Sequence, residues 1–168
     1  MESKIVQTNR LMIRPLEFKD DSFILELVNT EGWLVYIGNK NIYTLADAQN
    51  YIQNILNTPN CFYWTVVLKE TSTPIGLISL LQRTYLPNAD FGFAFLPQYV
   101  NKGYALEATS VVLEDILQQD ENSSVLAITL TDNKNSIKLL NRLGFINSKE
   151  IEIEKEALYL FEIKKDNK

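Results

Sequence analysis

Repeated changes between helical and strand-like hydrophobic periods constrain the fold of this chain more than any other feature of its sequence. Thr44 and Asp47 form a start typical of a capping box, and apolar residues then recur on one helix face as far as Leu56. From Ala89 to Phe95 the period changes to two, which places three phenylalanines on one face of a predicted strand. Strands that interleave with helices in this way predict an α/β layered domain with a mixed sheet.

The same patterns predict seven strands and four helices along the chain. The strands are expected at residues 11–14, 63–69, 75–82, 89–95, 125–130, 150–154 and 157–164, and the helices at about 20–29, 44–56, 103–119 and 133–143. Because no internal repeat and no linker interrupts these segments, we expect one domain over residues 1–168, with a core of about 8–164.

The residue types that are missing exclude several kinds of site. The chain of 168 residues contains no histidine, which removes Ser-His-Asp and Cys-His catalysis and histidine-based metal sites, so we expect no metal. Cys61 is the only cysteine, so no intrachain disulfide can form, and this fits a reducing, cytoplasmic location. A net charge of −5 argues against nucleic acid as a partner, and no apolar run is long enough to span a membrane.

The segment from Pro97 to Ala108 links the predicted aromatic strand to a long helix. Gly103 lies in the turn and lets the backbone approach a ligand closely, while Lys102 adds a positive charge. The first amides of a helix have no partner within the helix, so this arrangement predicts an anion site. An ordinary turn with one glycine is the alternative interpretation.

The segment from Asn133 to Phe145 reads first as a capped amphipathic helix. Asn133 is the expected N-cap residue, and Gly144 is the expected left-handed residue after the last turn. Leu140 is expected to face the core. The cap and the glycine explain the helix itself, but they do not explain why this segment and the preceding one both follow a predicted strand.

Four motifs in register resemble the GNAT superfamily of N-acetyltransferases, and most closely its branch of ribosomal-protein alanine N-acetyltransferases. Thr8 to Leu16 follows a T-x-R-L-x-L-R-P-L run, and Asp90 to Phe93 resembles the E-I-G-Y strand. Pro97 to Ala108 resembles P-x-x-W-G-x-G-Y-A-x-E-A, and Asn133 to Phe145 reproduces N-x-x-S-x-x-L-L-x-x-L-G-F. The resemblance implies a mixed, mostly antiparallel central sheet, flanked by helices and splayed between its fourth and fifth predicted strands.

The resemblance also implies an enzyme that moves an acetyl group from acetyl-CoA to a primary amine. The amine would be a protein N-terminal α-amine or a small-molecule amine, and it would attack directly in a ternary complex. Such enzymes wrap the pyrophosphate in a loop that corresponds here to Asn101, Lys102, Gly103, Tyr104 and Ala105. Their strand backbone pairs with the pantetheine arm at positions that correspond to Ala94, Phe95 and Leu96. By the same correspondence, Asn133 lies near the pantetheine and Ser136 near the thioester or a phosphate. We expect a monomer or a homodimer.

The departures from the family pattern bear on catalysis. Val100 and Asn101 replace a tryptophan and a glycine, and Leu140 stands where many members carry a tyrosine that protonates the leaving thiolate. That role is left to Ser136 or water. Asp90, at a position usually filled by glutamate, is the candidate base or water-holder, with a partly solvated strand aspartate as the alternative. The candidate catalytic residues are Asp90, Ser136 and Asn133.

The sequence also suggests roles for several other polar and aromatic residues. For Glu107 we favour a structural role, since the helix dipole alone stabilises a glutamate in a first turn. The acidic run at residues 150–156 is expected to be a solvated hairpin face. Trp33, Tyr36, Tyr43 and Tyr85 are candidates for the wall of the acceptor pocket or for the core. A non-catalytic acyl-CoA-binding module and a purely structural domain are the rival functions.

Overall fold

The computed structural model describes residues 4–119 and 124–165, and the strands and helices in those ranges form one layered unit. The strands are β1 (Val6–Gln7), β2 (Leu11–Pro15), β3 (Cys61–Leu68), β4 (Thr73–Leu81), β5 (Asp90–Phe95), β6 (Ser124–Leu130), β7 (Ile146–Ile153) and β8 (Glu156–Lys164). The α-helices are α1 (Asp21–Val28), α2 (Glu31–Tyr36), α3 (Leu45–Asn57), α4 (Tyr104–Gln118) and α5 (Lys134–Arg142). Within the described ranges, none of the helices is long and apolar enough to cross a membrane.

The eight described strands form a single sheet in the order β1-β2-β3-β4-β5-β6-β8-β7. Every neighbouring pair is antiparallel except β5 and β6, which run parallel and have Asp90 and Leu126 as their matched residues. Past that point the two strands diverge. The predicted mixed, mostly antiparallel sheet with its splay is therefore confirmed.

A carboxylate marks the point where β5 and β6 separate. The Ile128 N–H donates to Asp90 Oδ1 at 3.2 Å, so a side chain accepts the hydrogen bond that a strand backbone would accept in a continuous ladder. The Leu126 N–H still bonds the backbone, at Ala89 C=O. The splay thus begins where the backbone partner of β6 is replaced by the side chain of Asp90.

The two faces of the sheet are covered by different helices. On one face, Phe91 packs in a cluster with Val112 of α4 and Leu140 of α5. On the other face, Leu77 packs in a second cluster with residues of α1 and α3, among them Ile24. Side chains alternate between the two faces along a strand, so Asp90 lies on the face opposite to that of its neighbour Phe91. This is the face on which Leu77 lies.

β1 and α2 were not predicted, and the start of β7 differs most from its predicted position. The two-residue β1 and the six-residue α2 are too short to show a period, although α2 has a Thr30 N-cap and buries Trp33. β7 starts at Ile146 rather than at residue 150, because it is an exposed edge strand without an apolar pattern at its start. The capping box of Thr44 and Asp47 is confirmed.

Candidate active site

Two helix N-termini follow the diverging ends of β5 and β6. β5 continues through a short turn at Pro97–Tyr99 to α4, and β6 continues through residues 131–133 to α5. Because β5 and β6 are parallel, their carboxyl ends lie at the same edge of the sheet, and both helices then pack on the same face. Ligands of open α/β sheets bind in crevices of this kind, outside the carboxyl ends of strands.

The backbone of β5 is free toward the gap at alternate residues. The Leu96 N–H donates to Ile75 C=O at 2.9 Å, and the Leu96 C=O accepts from the Tyr99 N–H at 3.0 Å. Hydrogen bonds alternate along an antiparallel strand, so the polar groups of Phe93 and Phe95 point away from β4 and into the gap. Of the predicted set Ala94, Phe95 and Leu96, only Phe95 fits a backbone contact to a ligand there. The Leu96 N–H and C=O already have partners within the protein, and the binding role of Ala94 and Leu96 stays a prediction.

The turn before α4 has an unusual backbone. Asn101 has a φ of 60° and Gly103 a φ of 80°, both in the left-handed region. Gly103 is the N-cap of α4 and offers no side-chain acceptor to the first amides of the helix. Tyr104 and Ala105 begin the first helical turn, while Asn101, Lys102 and Gly103 are exposed. The predicted loop residues are therefore contiguous at an uncapped helix N-terminus, the arrangement that binds anions.

The start of α5 brings Asn133 and Ser136 together. The Asn133 side chain is the N-cap and accepts from the Ser136 N–H at 3.2 Å, as predicted. The Ser136 side chain is half-buried in the first turn. Leu140 is 1 % exposed in the core cluster, which confirms its predicted orientation. Asn133 and Ser136 belong to the α4–α5 face, whereas the side chain of Asp90 points to the opposite face, so these three candidates approach the gap from two sides.

Asp90 is a buried, charge-paired carboxyl. Its side chain is 5 % exposed, and its Oδ2 lies 2.5 Å from Arg83 Nε. Burial raises the pKa of Asp90 above its ordinary value, and the Arg83 guanidinium and the Ile128 N–H lower it only in part. The alternative of a partly solvated aspartate is thus wrong. A carboxyl with a raised pKa accepts a proton more readily at neutral pH, as a general base must.

Two tyrosines lie behind this ion pair and were not predicted as site residues. The phenols of Tyr51 on α3 and Tyr63 on β3 are close enough to influence each other's pKa, and the charge of Arg83 acts on Tyr63. Burial raises the pKa of both phenols, so both stay protonated at neutral pH. Tyr63 pairs across the sheet with Ser79, on the Asp90 face. The strand register could not be deduced from the sequence, so this neighbourhood was missed.

Of the four aromatic candidates for the wall of the acceptor pocket, one lies in the core and three lie at the surface. Trp33 is 6 % exposed and belongs to the core. Tyr36, Tyr43 and Tyr85 are exposed, and the ring of Tyr85 lies 5.9 Å from Arg83 Cζ. Only Tyr85 therefore contacts a residue of the site among these four.

The chain is similar to known proteins over most of its length. A family model described as an acetyltransferase (GNAT) domain matches residues 10–146. The chain belongs to the GNAT acetyltransferase family. As a member of it, this protein is an N-acetyltransferase that depends on acetyl-CoA.

Curated relatives and solved structures resemble this GNAT enzyme over most of their length. The uncharacterized N-acetyltransferases YnaD and YoaA of Bacillus subtilis (strain 168) are 28% and 26% identical over 139 and 147 residues; the matches cover 83% and 84% of this chain and 81% and 82% of the relatives. The ribosomal-protein-S5-alanine acetyltransferase of Vibrio fischeri has a TM-score of 0.85 at 18% identity, covering 98% of both chains. The spermidine N-acetyltransferase of Vibrio cholerae, in complex with CoA and spermine, has a TM-score of 0.80 at 18% identity, covering 94% of this chain and 97% of that one. These structures share the fold.

The geometry of the crevice fits acetyl-CoA. A Cβ atom at Gly103 would lie 3.3 Å from Arg10 Nη2, so the turn leaves little room for a side chain at this position. The uncapped amides of α4 suit a pyrophosphate, and the free backbone groups of Phe93 and Phe95 suit the amides of a pantetheine arm. Lys102 is a weaker candidate for contact with the pyrophosphate, because its Nζ lies 5.5 Å from the centroid of the Tyr99 ring.

Proposed function

We propose that this enzyme transfers the acetyl group of acetyl-CoA to a primary amine by direct attack within a ternary complex. The acceptor is a protein N-terminal α-amine or the amine of a small molecule. The observation that carries this proposal is the gap between β5 and β6, which has both helix N-termini on one face and the buried Asp90 on the other. The residues that would hold acetyl-CoA are Phe93, Phe95, Asn101, Lys102, Gly103, Tyr104, Ala105, Asn133 and Ser136.

Asp90 and its neighbours supply the proton acceptor. When bound, acetyl-CoA supplies a thioester carbonyl carbon as the electrophile, and only a neutral amine attacks such a carbon. Asp90 takes the proton of the incoming ammonium, either directly or through a water that it holds. Arg83 lowers the pKa of Asp90 and so keeps the carboxylate charged before the proton arrives.

Ser136 and Asn133 act on the opposite side of the gap. The Ser136 hydroxyl or a water is the proposed donor of a proton to the departing thiolate, because Leu140 in the core cannot take the role of the family tyrosine. The second proton that the attacking nitrogen loses as the amide forms then returns to this donor. Asn133 Oδ1 is bonded to the Ser136 N–H, which leaves the Asn133 amide N–H groups to contact the pantetheine. The same bond caps the first turn of α5, which carries Ser136.

Several broader expectations complete the proposal. The whole chain acts as one catalytic domain, and a monomer or a homodimer remains the expected oligomeric state. A cytoplasmic location stays a prediction from the single cysteine, Cys61. Neither nucleic acid nor a membrane is an expected partner.

Titration of the protein with acetyl-CoA, followed by turnover with matched amines, tests the proposal. The amines are a peptide with an N-terminal alanine, the same peptide blocked at its N-terminus, and spermidine. We expect acetyl-CoA to bind and at least one free amine to be acetylated, while the blocked peptide stays unmodified at its terminus. Binding without transfer to any amine would contradict the proposed reaction, and acylation of the protein itself as an obligatory step would contradict direct attack.

A further inference from the structure

The N-terminal segment reaches across to the turn that begins α4. Arg10 precedes β2 in the sequence, yet its Nη1 donates to Lys102 C=O at 3.0 Å, in the middle of the turn. Its guanidinium also stacks over the ring of Tyr104, with 4.4 Å from Cζ to the ring centroid. Arg10 therefore contacts two successive parts of the turn, one residue on each side of Gly103.

Glu107 fixes Arg10 in this position. The Arg10 Nε and Nη2 atoms lie 2.7 and 2.6 Å from Glu107 Oε2, a fork of two charge-assisted contacts. The Arg10 N–H and the Thr8 hydroxyl donate to Glu107 Oε1 at 3.1 and 2.6 Å. Every acceptor oxygen of Glu107 is thus used by the segment from Thr8 to Arg10. The structural role expected for Glu107 is supported by these contacts.

The backbone of the turn needs such support. Asn101 and Gly103 both have positive φ, and for a residue other than glycine this region costs free energy. The turn is exposed, so packing against the core does not hold Asn101, Lys102 and Gly103. A bond from a fixed guanidinium to the Lys102 C=O sets the orientation of that peptide group, and so limits the conformations of the amides that follow it.

We propose that Arg10 is a positioning residue that orders the turn at Asn101–Gly103 for the pyrophosphate of acetyl-CoA. Glu107 and Thr8 act through Arg10. This inference rests on the proposed function, since it assigns to the turn the role of binding the diphosphate. Preorganised amides bind more tightly because less ordering remains to be done on binding.

The test compares Arg10→Lys, Arg10→Ala and Glu107→Gln with the wild type. Arg142→Ala is the matched control, because it removes an arginine from the exposed far end of α5. Calorimetry with CoA measures affinity, and hydrogen exchange of the amides of residues 101–105 in the protein without CoA measures the order of the turn. We expect all three variants to bind CoA about tenfold or more weakly and to exchange these amides faster. Arg142→Ala should match the wild type in both.

Two further measurements separate positioning from other roles. The KM for acetyl-CoA should rise in the variants while the KM for the amine stays constant, and turnover with S-acetyl-pantetheine, which lacks the diphosphate, should be unchanged. Glu107→Gln contacts no diphosphate, so wild-type affinity in Glu107→Gln together with weak binding in Arg10→Ala would indicate a direct contact of Arg10 and overturn the positioning role.

The remaining outcomes are also decisive. Arg10→Lys keeps the positive charge but cannot make both guanidinium contacts with Glu107. It therefore tests the inference if Arg10→Ala fails to fold. Wild-type affinity for CoA in Arg10→Lys and Glu107→Gln would overturn the inference and leave the proposed acetyl transfer intact. A wild type that does not bind CoA would overturn both.

Discussion

Two buried aspartates, each paired with an arginine, have pKa values that are shifted in opposite directions. Asp20 is 1 % exposed, and Arg14 donates to its two oxygens at 2.7 and 2.8 Å. The Thr65 hydroxyl and the Glu17 N–H also donate to it, at 2.9 and 3.0 Å. Burial raises the pKa of Asp20, but these donors together lower it more, so it ends below its ordinary value.

Asp90 accepts fewer hydrogen bonds than Asp20 does. It accepts from Arg83 through one nitrogen and from the Ile128 N–H, and its pKa ends above the ordinary value. Both aspartates are paired with an arginine, so the arginine alone does not decide the direction of the shift; at Asp90 fewer donors oppose a stronger effect of burial. Asp20 lies where the sheet is continuous and serves stability. Asp90 lies where the sheet opens, and an underbonded carboxyl at a crevice is a candidate for proton transfer.

Asp90→Asn tests the functional side of this comparison, which is the proposed proton transfer by Asp90. The amide can still accept from the Ile128 N–H but cannot take a proton, so we expect kcat to fall about 10²–10⁴-fold. Acetyl-CoA affinity should change little, and the loss of unfolding free energy should be smaller than in Asp20→Asn, because the Arg83 side chain is partly exposed to solvent. Steady-state kinetics, calorimetry and urea unfolding measure the three quantities. Turnover near that of the wild type at neutral pH would remove Asp90 from the reaction.

Asp20→Asn tests the structural side of this comparison, which is the contribution of Asp20 to the stability of the fold. It leaves the buried Arg14 guanidinium with the half-exposed Glu17, 3.5 Å away, as its remaining counter-charge, and breaking a buried pair in this way costs up to about 3–5 kcal/mol of unfolding free energy. Because the folded pKa of Asp20 is lowered, its contribution is present above the unfolded value of about 3.9 and is lost as the pH falls through the folded value. Urea unfolding at neutral pH and near pH 3 should therefore show a difference between variant and wild type that narrows in acid.

The adjacent carboxylate, Asp21, which is more accessible to solvent than Asp20, provides the control for that measurement. Asp21→Asn alters a side chain that solvent already reaches, so its unfolding curve should stay close to that of the wild type. An Asp20→Asn protein that is as stable as Asp21→Asn at neutral pH would show that the Arg14 pair does not stabilise the fold.

The sequence predicted the elements whose signal is local. The Thr44 capping box, the Asn133 cap and the core position of Leu140 each depend on residues within about one helical turn, and all three are confirmed. The splay was predicted only through the resemblance to a family. Without it, nothing in the residues near Asp90 indicates that its strand pairs with β6 at one point and then separates.

The partners of the charged residues were beyond sequence reasoning. Arg83 is seven positions from Asp90, and Arg10 is separated from Glu107 by 97 residues. Register and topology bring these pairs together, and both depend on the packing of the whole sheet. The backbone groups at Phe93 were missed for a similar reason, because which edge of β5 faces the gap depends on the pairing with β4.

A glycine pair sharpens the comparison between the site and the scaffold. Gly103 and Gly144 have φ of 80° and 89°, so an alanine at either position should cost about 1 kcal/mol of stability. Only at Gly103 would the new Cβ lie 3.3 Å from Arg10 Nη2, whereas at Gly144 it would lie 3.6 Å from Ile163 Cδ1, an ordinary contact. We expect Gly103→Ala to weaken CoA binding about tenfold, and Gly144→Ala to bind as the wild type does. Equal CoA affinities in the two variants would remove Gly103 from the site.

The smallest expected effect is a shift in the pH dependence of Arg83→Gln. Arg83 lowers the pKa of Asp90 against the effect of burial, so its removal should raise that pKa further. Asp90 acts as a base only when it is deprotonated, and activity therefore falls as the pH drops through its pKa. The acid limb of kcat should move to higher pH in Arg83→Gln and stay in place in Arg142→Gln, which changes an exposed arginine at the end of α5. An acid limb that moves downward, or that does not move, would mean that the group seen in the profile is not Asp90.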